Sequence, residues 1–180
     1  MLGAVCRWGA LHPLASGRTV SVNLSTRQFA DPKLVDIVTR ALEDSKLPPA
    51  RLELEVSEAT AMQHSEPAMQ TLRKLRSLGV ALVIDDFGTS YSSLVNLKRY
   101  PIDKLKIDRS LISAIPADAD SVDIVVAVVD LAHALGLKVV AEGVETEAQE
   151  KVLRDAGCDF MQGFRPGAPL DPEAAENRTG

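Results

Sequence analysis

Apolar residues fall in short clusters along the chain, divided by polar stretches carrying Gly, Pro, Ser or Asp. The strand-like clusters are TVSVNLS (Thr19–Ser25), LELEVSE (Leu52–Glu58), VALVIDDFG (Val80–Gly88), KLKID (Lys104–Asp108), KVVAEGVE (Lys138–Glu145) and CDFMQG (Cys158–Gly163). Helical signals lie between them. Asp31, with Pro32 in the first turn, predicts a helix to about Lys46, ahead of Pro48 and Pro49. Ser65, Glu66 and Pro67 open a second helix that closes at Gly79. A third covers about Ser92–Tyr100 and is stopped by Pro101; a fourth runs from about Ser121 to Leu135 and ends at Gly136. Thr146 with Gln149 resembles a capping box for a fifth, ending at Gly157. Strand alternating with helix at this spacing predicts βαβ units and a parallel sheet, an α/β fold.

The strands carry more polar residues than a parallel sheet covered on both faces should. Ser21 and Asn23 share one face of their strand, and Val20, Val22 and Leu24 the other. Glu53 and Glu55 alternate with Leu52, Leu54 and Val56, while Lys104, Lys106 and Asp108 alternate with Leu105 and Ile107. One face can pack on helices; the other must point at something polar. A weak internal repeat accompanies this pattern. SLGVALVIDD, ALGLKVVAEG and AGCDFMQG share a layout of glycine, strand and polar strand end, and Asp85 and Glu142 each fall six residues after their glycine. A barrel suits such repetition, and an open doubly wound sheet also allows it. In an α/β barrel the chemistry gathers at the C-terminal ends of the strands. Asn23, Glu55, Asp85, Asp86, Glu142 and Gln162 all lie near such ends.

Charge and composition narrow the partners. The formal net charge is −5, which argues against DNA, RNA or an anionic membrane surface as the ligand. Cys6 and Cys158 stand far apart and form no CxxC pair, so a reducing cytoplasm is the expected compartment. The opening residues are too short and interrupted for a signal peptide or a span. The longest apolar run, Ile124–Leu131, contains Asp130 and reads as a buried helix face. Residues 1–170 are expected to form one domain, with 171–180 a polar, flexible tail.

Asn23, Glu55, Asp85, Asp86 and Glu142 offer only oxygen donors, which favour Mg²⁺, Mn²⁺ or Ca²⁺ over structural zinc. Converging carboxylates repel one another unless cations neutralise them. Adjacent aspartates at a strand end can serve two metals, and a pair of divalent ions is a recurrent device for phosphodiester hydrolysis. Lys106 and Gln162 could contact the water or the phosphate. Each residue also has a plainer reading. Asn23 could cap a turn. Glu53, Glu55 and Glu58 could line a solvated strand face. Asp85–Asp86 before Phe87–Gly88 could be a turn, and Lys106 a snorkelling surface lysine. His12, His64 and His133 receive no role.

SVNLSTRQF, ELEVSE, IDDFGTSYSSL, KLKIDRS, VVAEGVET and MQGF stand in the order and spacing of the EAL domain, which the chain resembles from about Arg18 to Pro169. The resemblance implies a modified TIM barrel that hydrolyses cyclic di-GMP to the linear dinucleotide pGpG with two Mg²⁺ or Mn²⁺ ions. It assigns Asn23, Glu55 and Asp85 to one metal, and Asp85, Asp86 and Glu142 to the other. It gives Lys106, Glu142 and Gln162 catalytic roles, Lys106 and Gln162 holding the hydrolytic water. Glu58 would anchor the DDFG loop, which links metal binding to dimerisation in the family, and Glu145 would support the ligands from behind.

The 180 residues depart from the family pattern in one large respect: they hold no Glu-Ala-Leu string. In the family that glutamate binds the first metal, so this site lacks one ligand here and activity is expected to be weak or absent. By comparison with the family, Val22–Asn23–Leu24 corresponds to its third strand. About six of eight strands are therefore expected, an incomplete TIM-type barrel. Open strand edges would invite a second copy or a missing N-terminal piece, or leave the chain marginally stable; a homodimer or an upstream regulatory domain is the expected partner. A non-catalytic module that binds cyclic di-GMP or another protein is the alternative. Ser57, Ser90 and Pro166 are smaller departures.

Overall fold

The computed structural model describes residues 2–11, 19–61, 66–88 and 97–167. Residues 92–96 of the expected third helix, the tail over 171–180, and His12, His64 and Ser90 lie outside them. The six strands belong to one sheet in chain order, β1 to β6. A doubly wound sheet would reverse its order at a switch point. Sequential order is that of a TIM-type wall, and it resolves the choice the internal repeat left open. The described residues divide into two compact units, the first lying within residues 2–83 and 100–102, the second within residues 84–99 and 103–167.

The first unit contains α1 (Leu2–Leu11), β1 (Val20–Leu24), α2 (Thr26–Phe29), α3 (Leu34–Ser45), β2 (Leu52–Ser57), α4 (Glu58–Ala61), α5 (Glu66–Ser77) and the start of β3 (Ala81–Phe87). β1 and β2 pair in parallel, with Asn23 opposite Glu55. Val20, Val22 and Leu24 are buried while Ser21 and Asn23 are exposed, the alternation read from the sequence. α1 packs on β1 at Gly9, where an added Cβ would meet Val20 Cγ1 at 3.0 Å. The predicted start of α3 is corrected. Asp31 does not cap the helix; its Oδ1 accepts the Lys33 N–H at 2.9 Å, an Asx turn, and the helix begins at Leu34.

The second unit holds the end of β3, then β4 (Lys104–Ile107), α6 (Arg109–Ala114), α7 (Ala119–Ala134), β5 (Lys138–Glu142), α8 (Glu147–Asp155) and β6 (Phe160–Gln162). β4 pairs with β5 and β5 with β6, both parallel. α7 buries Val125, Val128, Val129 and Ala132 and leaves Asp130 exposed, so the apolar run is a helix face as expected. The capping box of α8 is present, with reciprocal bonds between Thr146 and Gln149.

Backbone hydrogen bonds tie the segments that follow the strands of this unit to their neighbours in two places. The Asp108 N–H donates to the Phe87 carbonyl at 3.2 Å, the Val144 N–H to Gln162 at 3.0 Å, and the Arg165 N–H back to Val144 at 3.0 Å. Gly163 lies so close to Val144 that a Cβ there would fall 2.3 Å from its carbonyl oxygen. At the start of the strands, Asp159 gathers three donors: His133 Nε2 at 2.8 Å, Lys138 Nζ at 2.6 Å and the Val139 N–H at 2.9 Å.

Candidate active site

β4 delivers Lys106 into the second unit with its neighbours Leu105 and Ile107 buried beside it. Lys106 is only 5% exposed. Its Nζ stands 2.5 Å from Glu142 Oε1, at the end of β5, and 3.3 Å from Asp85 Oδ1, near the end of β3. A snorkelling lysine would carry its ammonium to water, so that reading is overturned. Burying an ammonium is costly unless it is paired, and here one cation lies between two carboxylates. Gln162 sits opposite Glu142 in the β5–β6 register and is exposed.

Asp86, beside Asp85, adopts φ 57°, in the left-handed region that few side chains tolerate. Its own N–H donates to Asp85 Oδ1 at 3.0 Å. The Asp86 carboxyl is pushed above its usual range, first by burial and then by the negative charges of Asp85 and Asp108, against a smaller opposing pull from Lys106. Asp108 caps α6 by accepting the Ser110 N–H at 2.8 Å. Burial opposes its ionisation, but hydrogen bonds from Ser110 and Arg109 outweigh this and hold it low. The sequence reading placed Asp108 only on the strand; Asp-Arg-Ser ahead of an apolar pair was the cap signal that it passed over.

In the first unit Asn23 and Glu55 face each other across β1 and β2. Glu53 and Glu55 are 5% and 7% exposed, so the solvated-face reading is overturned for both. Glu53 is held by the hydroxyls of Thr19 at 2.5 Å and Ser21 at 3.3 Å. Glu58, at the start of α4, is buried at 1% exposure. Near it, Thr60 bonds Ser57 at 2.9 Å and Thr26 at 2.8 Å, so Ser57 is accommodated. Glu145 is exposed, and its N–H donates to Gln149.

The donor chemistry fits a hard divalent cation: oxygen donors only, with Asp86 raised by burial and then by like charges, the second of which a cation would relieve. Among the described residues, no three acidic, His or Cys side chains are gathered closely enough to hold an ion as they stand. Lys106 supplies the positive charge between Asp85 and Glu142. Among the described residues, no helix is long and apolar enough to cross a membrane.

A parallel strand wall in sequential order, with acids and a buried lysine at or near its strand ends, is the architecture of a TIM-type barrel. The EAL domain model matches residues 1–169, and the chain belongs to the EAL domain family. It is 49% identical over 154 residues to MucR of Pseudomonas aeruginosa, a bifunctional diguanylate cyclase/cyclic di-GMP phosphodiesterase, covering 86% of this chain and 22% of that protein. It thus spans about a fifth of that relative. Its fold matches the structure of the PaMucR phosphodiesterase in complex with c-di-GMP, with TM-score 0.90 and 46% identity over 97% of this chain and 71% of that one. It also matches BlrP1 of Klebsiella pneumoniae in a manganese/cyclic-di-GMP complex, with TM-score 0.82 and 32% identity over 90% of this chain and 41% of that one.

Proposed function

We propose that this chain supplies the phosphodiester-cleaving site of a larger signalling protein, with cyclic di-GMP as substrate and linear pGpG as product. The observation that carries the reading is the buried Lys106 between Asp85 and Glu142, each lying in a family motif at or near a strand end. By motif position Asn23, Glu55 and Asp85 would hold one Mg²⁺ or Mn²⁺, and Asp85, Asp86 and Glu142 another. Bound there, such ions would neutralise the phosphate and lower the pKa of a water. Lys106 presents an ammonium that donates to the attacking water or a phosphate oxygen once it leaves a carboxylate. Gln162, opposite Glu142, offers an amide to the same water. By motif position Glu58 would anchor the DDFG turn, and Glu145 would support the β5 end.

The 180 residues hold no Glu-Ala-Leu string, so this chain assayed by itself should turn over slowly or not at all. That absence also favours a second reading, a module that binds the nucleotide without cleaving it. Incubation with cyclic di-GMP and Mn²⁺, with chromatography for pGpG, decides between them. Product formation abolished by Glu142→Ala establishes the cleaving site. A folded chain that binds cyclic di-GMP in calorimetry and forms no pGpG establishes the binding module.

A further inference from the structure

Gln149 is a buried polar side chain on α8, 7% exposed, and the proposed chemistry makes no use of it. Its Oε1 accepts the backbone N–H of Thr146 at 3.0 Å and of Glu145 at 2.9 Å. Its Nε2 donates to the Ile112 carbonyl at 3.1 Å, in α6. A capping box needs only the Thr146 bond. The other two reach outside the helix, to the segment that follows Glu142 and to the helix that follows β4.

That segment rests on α6 at a second point. Gly143, at φ 74°, lies so close to Arg109 that an added Cβ would meet Arg109 Cβ at 2.7 Å. Arg109 begins α6, directly after its cap Asp108 and three residues beyond Lys106. The segment after Glu142 and the segment after Lys106 are therefore joined from behind, once by close packing and once by an amide. A side-chain amide suits this place because it accepts from two N–H groups and donates to a carbonyl at once.

We infer that Gln149 is a positioning residue: it fixes Glu142 relative to Lys106 by tying the segment after β5 to α6. The inference rests on the proposed reading of Lys106 and Glu142 as site groups. Gln149→Glu separates the two halves of the device, keeping the acceptor for Glu145 and Thr146 and losing the donor to Ile112. Gln149→Met loses both.

The test measures Mn²⁺ affinity of the full chain by calorimetry, kcat and KM for cyclic di-GMP, thermal melting, and hydrogen exchange at the Glu145 and Thr146 amides. For Gln149→Glu the expected result is a cooperative melt, protected amides, and a loss of about tenfold or more in Mn²⁺ affinity or kcat with KM little changed. Gln149→Met should lose amide protection as well. A folded Gln149→Glu with wild-type Mn²⁺ affinity and kcat would overturn the inference. If the wild-type chain binds no Mn²⁺, the functional reading fails and the positioning claim is decided separately. Crystal structures of wild type and Gln149→Glu then compare the Lys106–Glu142 contact. Displacement in the variant supports the claim; an unmoved contact sinks it.

Discussion

At Lys106 one ammonium stands where the proposed function needs divalent cations. On that proposal lysine and metal would compete for Asp85 and Glu142, because each would neutralise the same oxygens. Lys106→Met removes the competitor and leaves the carboxylates. It should bind Mn²⁺ at least as tightly as wild type in calorimetry. Cleavage of cyclic di-GMP should nonetheless fall about a hundredfold or more, as for a lost proton-transfer or electrostatic group. A variant that binds Mn²⁺ more weakly would show that Lys106 organises the ligands instead. The sequence pointed to Lys106 by its place on the polar face of KLKID, but could not choose between surface and interior. That choice depended on Glu142, 36 residues further on (142 − 106), arriving through the parallel β4–β5 register. Glu53 and Glu55 were ambiguous for the same reason, their burial being settled by the partner strand.

Among the elements, strands were easier to read than the short helices. The six apolar clusters became β1–β6 with ends moved by a few residues; the first five carry β-branched or leucine residues, and CDFMQG carries Phe160 and Met161. α2 and α6, of four and six residues, are too short for a helical period to show. They are held by local caps, Ser25 with Gln28 and Asp108 with Ser110. Asp159 also escaped the reading, since its three donors come from α7 and β5. Burial alone would raise its carboxyl, but bonds from Lys138, His133 and the Val139 N–H win and lower it to about 2. A folded-state value below the unfolded one adds stability that is present above pH 4 or so and lost as pH falls towards 2. The contribution is roughly 1–2 kcal/mol for this mostly buried carboxylate. Asp159→Asn should therefore melt lower than wild type at neutral pH, and the gap should narrow in acid. Thermal melts between pH 2 and 7 check this; a gap independent of pH would assign the loss to packing.

For the molecule as a whole the governing quantity is negative charge: net −5, with carboxylates repeatedly placed at strand ends. Such charge opposes compaction, and at Asp86 it adds to burial, the larger cause, in holding the carboxyl above its usual range. The fold tolerates it through hydroxyl donors on Glu53, the ammonium of Lys106 and backbone caps on Asp108. A divalent ion that binds only the folded chain adds stability by mass action, about 2.7 kcal/mol at a hundred times its dissociation constant. For a chain of this size that corresponds to a rise of roughly 5–10 °C in Tm. Saturating Mn²⁺ should produce such a rise, EDTA should reverse it, and Ca²⁺ should reproduce part of it, since oxygen donors accept both ions. Glu142→Ala should blunt the rise, although it also strips Lys106 of its nearest partner and lowers the metal-free Tm. The two effects separate because the first depends on Mn²⁺ concentration and the second does not. A Tm unmoved by any divalent ion, in a chain that still binds cyclic di-GMP, would mean that Lys106 alone balances the site and that the nucleotide is held without being cut.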